Sequence, residues 1–338
     1  MTVKERILKY GGIVGVSSQE QSMAKYLCEE LNRMGISSYM DTNGNVHGRI
    51  TCNHPDAKTL LLEAHLDQIG LLVSSIDKDG MLQFTALGGV DERILYGMEI
   101  EVDSNPPLFG VVGAIRAKDE EKNVKIEDLR IDLGLPYDEV IQRVHVGDVV
   151  AFKNVSKSLL GSLSSGCSMD NRAGVASIMD CLTKVKHEDL PYHLEVLFST
   201  GEELGLQGAY TGTKLVDAAI VVDVTFGITP DNKEAIGLFP LGCGAVICRG
   251  PCIRDDYAKQ LICLAQERKI RYDIEASPAN TGTNTWAIQT TGTGIPVMLI
   301  SIPLRYMHSN IETLSLEDVQ AVSDLLYAAI IGGVNLDA

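Results

Sequence analysis

A chain of 338 residues is long enough to bury a full α/β core and still carry a second, smaller unit. Its formal net charge of -16 argues against nucleic acid or an anionic membrane as a main partner, because the electrostatic contribution to either contact is repulsive. The eight cysteines show no Cys-x-x-Cys pair and no framework spacing, so they read as reduced, mostly buried thiols. No apolar run follows the mixed-charge start Met1-Thr2-Val3-Lys4-Glu5-Arg6, and no later segment reaches the length of a membrane span, so the expected location is cytoplasmic.

After a short first helix, Ser17-Ser18-Gln19-Glu20 has the form of a capping box, and Met23, Tyr26, Leu27, Leu31 and Met34 recur at helical spacing up to Gly35. Residues 46–50 and 59–65 read as strands, the second apolar enough at Leu60-Leu61-Leu62 to be buried on both faces. Between about residues 68 and 158 the texture changes to short β-rich runs punctuated by glycine, at 80–84, 98–102 and 147–152, with one helix around 137–143. Long-period α/β texture then resumes, with a helix over 171–185, strands over 194–199, 219–224 and 296–302, and a last helix whose capping pattern starts at Ser315-Leu316-Glu317-Asp318. The simplest organisation is a discontinuous α/β domain, residues 1–67 and 159–338, carrying an inserted β-rich domain, residues 68–158.

Five residues of metal-ligating type stand in tight local motifs outside the insertion: His65, Asp170, Glu203, Asp223 and His308. Two imidazoles and three carboxylates from separate strand ends are what a pair of hydrolytic divalent ions needs. His65 and Asp67 are two apart on a strand, so the carboxylate can brace the imidazole. Asp170 precedes a helix, where capping is the ordinary role of an aspartate; alongside the other four, a bridge between two ions fits better. Glu202 and Glu203 are adjacent and diverge, which suits one ligand and one free base. Asp223 ends the apolar run Ala219-Ile220-Val221-Val222, a position that faces a ligand crevice in open α/β sheets, and His308 follows the strand over 296–302 comparably. The other histidines, His47, His54, His145, His187 and His193, read as surface residues.

In this order, His-x-Asp, Asp-Asn-Arg-Ala-Gly, Ser-Thr-Gly-Glu-Glu-x-Gly, Val-Val-Asp and Arg-Tyr-Met-His-Ser, the chain resembles the M42 family of dinuclear metallo-aminopeptidases, which includes the TET and glutamyl aminopeptidases. The likeness extends into the insertion through Gly88-Gly89-Val90-Asp91-x-Arg93, Asp128-Leu129-x-Ile131-Asp132-Leu133-Gly134 and Val146-Gly147-Asp148. It implies a mixed-sheet, three-layer α/β catalytic domain of the phosphorylase/hydrolase-like kind with a small inserted β-barrel-like domain. It also implies two divalent ions per subunit, zinc or cobalt first and manganese as a further option, with Asp170 bridging, His65 and Asp223 completing one site, and Glu203 and His308 the other. Glu202 would be the general base, Asp67 would support catalysis, and a cis peptide would join Asp170 to Asn171. The substrates would be short peptides, cut at their N-terminal residue. The inserted domain would mediate dimerisation, with exposed apolar residues such as Leu95, Tyr96 and Phe109, and a tetrahedral dodecamer is the larger assembly implied.

Three neighbours of the motifs depart from that pattern, each removing a charge: Gln68 where glutamate is usual, Ser168 where lysine is usual, and Asn284 where aspartate is usual. They leave open a degenerate relative that binds peptide or metal without turnover. An endoglucanase is the other alternative, but one tryptophan and 5% aromatic residues are thin for stacking a sugar polymer, and the carboxylates it needs are claimed by the metal motifs.

Overall fold

The computed structural model describes residues 1–114, 125–153, 156–230, 232 and 237–336. The chain opens with α1 (Val3–Tyr10), α2 (Gln21–Arg33), β1 (Ser37–Met40), β2 (Val46–Ile50) and β3 (Thr59–His65). It then forms β4 (Gly70–Ile76), β5 (Leu82–Leu87), β6 (Glu99–Val102), β7 (Leu108–Ala114), β8 (Leu129–Asp132), α3 (Tyr137–Val140) and β9 (Val149–Phe152). Next come β10 (Lys157–Ser158), β11 (Leu163–Gly166), α4 (Met169–Val185), β12 (His193–Ser199), α5 (Gln207–Gly212), β13 (Ala218–Phe226) and β14 (Ala245–Arg249). The last elements are α6 (Asp255–Arg268), β15 (Tyr272–Ala276), α7 (Thr285–Ile288), β16 (Val297–Arg305), β17 (Glu312–Ser315) and α8 (Leu316–Gly332).

Strands β12, β3, β13 and β16 lie side by side and parallel at the centre of a mixed sheet. Their near-continuous apolar sequences match burial on both faces, which is the environment of a parallel strand between helical layers. Helix α4 lies against β3, β13 and β16, with α1 and α8 against α4, while α5 packs on β12 and α7 on β16. Antiparallel strands extend the sheet: β2 and β1 beyond β12, and β17, β11 and β10 beyond β16, with β14 and β15 branching from β16. Parallel pairing has one functional consequence. It brings the carboxyl ends of β3, β12 and β13 to the same edge, the usual crevice of an open α/β sheet.

Strands β4 to β9 close into a six-stranded antiparallel barrel in the order β4-β5-β8-β7-β6-β9. Leu71, Val73, Leu82, Phe84, Ile100, Val112, Ile131 and Phe152 fill a core separate from that of the main sheet. The α/β fold with a mixed sheet and a barrel inserted after β3 is the one expected from the sequence.

Several local expectations need correction. No capping box forms at the start of α2: Glu20 is the N-cap and makes no side-chain capping bond. Ser17 instead donates to Asp67, and Glu20 accepts from the Gly201 N–H, so both serve the strand-end crevice. His47 and His193 are buried, not on the surface; His47 lies 3.2 Å from Asp41, and His193 Nδ1 accepts from the Cys52 N–H. Leu95 is buried in the barrel core, whereas Tyr96 and Phe109 are exposed. Helix α3 is shorter than expected. Four of the eight cysteines are buried, and all eight are free thiols. Among the described residues, no helix is long and apolar enough to cross a membrane.

Candidate metal centre

The β3–β12–β13 edge and the start of α4 converge on one acidic cluster. His65 ends β3, and its Nε2 lies 3.0 Å from Asp170 Oδ1 and 3.8 Å from Asp223 Oδ1. His308 Nε2 lies 3.5 Å from Asp170 Oδ2 and 3.6 Å from Glu203 Oε2. Donor atoms of His65, Asp170 and Asp223 fall within 4.8 Å of one another, and so do those of Asp170, Glu203 and His308. Asp170 belongs to both groups, one oxygen turned toward each imidazole. Glu202 lines the same cavity but falls in neither group.

Local backbone geometry aims these side chains. Asp170 and Asn171 depart from helical dihedrals at the head of α4 and are joined by the expected cis peptide. Asn171 donates to the Val222 carbonyl and accepts from the Gly174 N–H, which ties α4 to the residue before Asp223. His308 sits at φ 61°, a left-handed conformation rare outside glycine, and Gly89 from the barrel side presents its carbonyl 3.0 Å from His308 Nδ1. A Cβ at Gly89 would stand 2.7 Å from that nitrogen, so only glycine lets the two approach.

Behind the donors lies a second set of polar groups. Asp67, fully buried, sits 3.3 Å from His65 Nδ1 and accepts from the Ser17 hydroxyl and the N–H groups of Glu202 and Glu203. The brace expected from its spacing is present, and it extends to the Glu202–Glu203 turn. Glu312 accepts from the backbone N–H groups of Asp170 and His308, at 3.2 and 2.8 Å. Sequence reasoning missed Glu312, because a glutamate four residues past His308 carries no signal beyond an ordinary strand-edge acid.

The three departures from the family pattern also fall into place. Gln68 Oε1 accepts from Ser168 Oγ at 2.9 Å, so two of the three residues singled out in the sequence touch through a neutral hydrogen bond. Asn284 donates to Glu63, which also accepts from Ser199, so this neutral residue stands beside a buried acid. None of the three is a member of either donor group.

Electrostatics favour cations here. Burial, reinforced by neighbouring carboxylates, pushes Glu202 and Glu203 up to about 8 and raises Asp223 well above its ordinary value. Burial alone would raise Asp170 too, but hydrogen bonds with His308 and His65 hold it low. His308 is lifted to about 9, chiefly by its contact with Asp170. Oxygen and imidazole donors from one shared and four flanking residues, all crowding acidic charge out of water, fit a pair of divalent cations. The cavity in front of them measures about 610 Å³.

Comparison with known proteins relates the chain to a family of peptidases. The family described as M42 glutamyl aminopeptidase matches residues 44–325. A protein of Acetivibrio thermocellus assigned as an aminopeptidase is 32% identical over 339 residues, covering 95% of this chain and 96% of its own. The TET1 peptidase of Pyrococcus horikoshii, described as assembling into a tetrahedron or a large octahedral shell, superposes with a TM-score of 0.86 at 26% identity over 97% of this chain and 99% of its own. A Thermotoga maritima protein named an endoglucanase superposes at 0.78, with 26% identity and 96% of each chain covered.

Proposed function

The chain belongs to the M42 glutamyl aminopeptidase family and is a peptide hydrolase, and from that premise we propose that it removes N-terminal residues from short peptides with two divalent ions bound around Asp170. The observation that carries this reading is the sharing of Asp170 between two donor groups, with Glu202 beside both and a member of neither. His65 and Asp223 would hold one ion and Glu203 and His308 the other; zinc or cobalt suits the donors best, with manganese a further option. When bound, such ions supply Lewis acidity toward the scissile carbonyl and toward water.

The chain's own residues supply the rest. Glu202 takes a proton from the attacking water and returns it to the departing amine. Asp67 fixes the backbone from which Glu202 and Glu203 project and holds the His65 ring, so base and donors keep a common geometry. The acidic surroundings receive the free ammonium of the substrate, which makes the cleavage an exopeptidase one.

The endoglucanase alternative has less support. Among the described lining residues Phe226 is the one aromatic ring besides the histidines, too little to stack a sugar chain, and most of their carboxylates belong to the donor groups. The degenerate alternative also loses ground, because the exchanged residues Gln68 and Ser168 make a mutual hydrogen bond and leave the donor groups whole.

We further propose that the segment 68–158, which contains the barrel, is a dimerisation domain, and that dimers of this chain build a larger closed assembly, the Pyrococcus horikoshii TET1 peptidase being described as assembling into a tetrahedron or a large octahedral shell. Tyr96 at 65% and Phe109 at 50% exposure give the barrel apolar surface to cover; a monomeric mass by light scattering contradicts this. A reducing, cytoplasmic setting fits eight free thiols.

The test is cleavage of chromogenic aminoacyl substrates with free and with blocked amino groups, by wild type and by Glu202→Gln. Wild type is expected to cleave only the unblocked set, and Glu202→Gln to lose at least about 100-fold in kcat while retaining bound metal. Unchanged turnover in the variant removes the assigned base, and cleavage of cellulose surviving a chelator revives the glycosidase.

A further inference from the structure

Side-chain alternation decides which residues floor the cavity beside the metal centre. Asp223 and Thr225 are two apart on β13 and face the same way. Ser301 on β16 is paired with Asp223, and Val246 on β14 is paired with Ser301. Two residues on, Cys248 is paired with Glu275 on β15. Asp223, Thr225, Ser301, Cys248 and Glu275 therefore share one sheet face, and all five line the cavity.

Among the described residues that line the cavity, Glu275 is the one carboxylate that is neither in a donor group nor the assigned base, and none is a lysine or arginine. Its Oε1 accepts from the Thr225 hydroxyl at 3.0 Å, a bond that pulls the carboxylate inward across the sheet toward the Asp223 side. Ser301 gives a second, independent sign of a ligand site. Its side chain is 1% exposed, lines the cavity, and its Oγ has no hydrogen-bond partner among the described residues. A buried hydroxyl of that kind takes its partner from the cavity, a water when the pocket is empty and a ligand group when it is filled. Burial raises the Glu275 carboxyl above its ordinary value, the expected response of an acid facing a partly dry pocket without a counter-ion.

We propose that this pocket receives the side chain of the substrate's first residue and that Glu275 selects a cationic one, lysine or arginine, over an acidic one. The inference rests on the aminopeptidase reading of the adjacent centre. Strand rise puts Thr225 about 7 Å beyond Asp223, a span that the flexible stem of lysine covers from a backbone held at the donor groups. Leu299, Cys248 and Phe226 offer apolar walls to that stem, while the ammonium or guanidinium reaches Glu275. An acidic side chain there meets the Glu275 carboxylate and, among the described lining residues, no lysine or arginine.

The experiment measures kcat/KM on lysyl, arginyl, leucyl and glutamyl p-nitroanilides for wild type, Glu275→Gln and Glu275→Lys. Wild type is expected to favour the lysyl and arginyl substrates, with the glutamyl substrate last. Glu275→Gln should lower the lysyl-to-leucyl ratio about 10- to 100-fold, the worth of a charged hydrogen bond. Glu275→Lys should raise the glutamyl-to-lysyl ratio. A loss shared equally by all four substrates, which a general structural role or a grip on the substrate's α-ammonium would give, overturns the proposal, as does a wild type preferring leucyl with ratios that do not move. Leucyl cleavage without the basic preference leaves the aminopeptidase reading standing; cleavage of none of the four overturns both.

Discussion

Replacing the Asp67 carboxylate disturbs the His65 ring, the Ser17 hydroxyl and the N–H groups of Glu202 and Glu203 together. Supporting groups of this kind typically cost 10- to 100-fold in metal affinity or activity when changed. Asp67→Asn is therefore expected to lower kcat/KM by about that factor without changing which substrates are preferred, measured across the chromogenic panel. A loss below twofold shows that the turn holds its shape without Asp67. At this scale the sequence was informative where a residue's chemistry is local. His65 and Asp67 declare themselves by strand-end spacing. Glu312 does not, because its role is to accept two backbone N–H groups brought to it by the tertiary fold.

Among the elements, the anchoring of the first two helices depends on a buried charge. Arg6 on α1 reaches Glu30 on α2 at 3.0 Å and Thr183 on α4 at 3.1 Å, while Tyr10 donates to the other Glu30 oxygen. Both charged side chains are buried, so Glu30→Ala leaves a guanidinium without its main counter-ion and should cost about 3 kcal/mol. Urea unfolding followed by circular dichroism reads that loss; a change under 1 kcal/mol contradicts the assignment. The hydrophobic period outlined α2 correctly, but it could not place Glu30, because periodicity grades apolar residues and passes over an acid on the buried face. The failed capping box has a similar origin. Ser17 and Glu20 fit the local pattern, yet both are drawn to the crevice, where Asp67 and the Gly201 N–H outcompete the helix end. Strands β3, β12, β13 and β16 were legible because burial on both faces leaves an unbroken apolar run. The shorter β14, β15 and β17 lack that signature and were not anticipated, although β14 and β15 complete the floor of the cavity.

For the whole molecule, the order of elements explains why one chain can present a closed barrel and an acidic centre together. The barrel leaves the main sheet directly after His65 and Asp67, and its Gly88-Gly89 turn comes back to His308, so the insertion touches the centre at its start and again at that turn. The parallel strands deliver donors to one edge, and the cis peptide follows Asp170, the residue shared by the two groups. The central claim is that hydrolysis of unblocked peptides depends on two ions held there. It is tested most directly by stripping the protein with a chelator and titrating zinc, cobalt or manganese back while following both bound metal and leucyl or lysyl p-nitroanilide cleavage. Activity that is absent after stripping and reaches its plateau at about two ions per chain is the predicted result; full activity in the stripped protein, or equal cleavage of substrates with blocked amino groups, contradicts it.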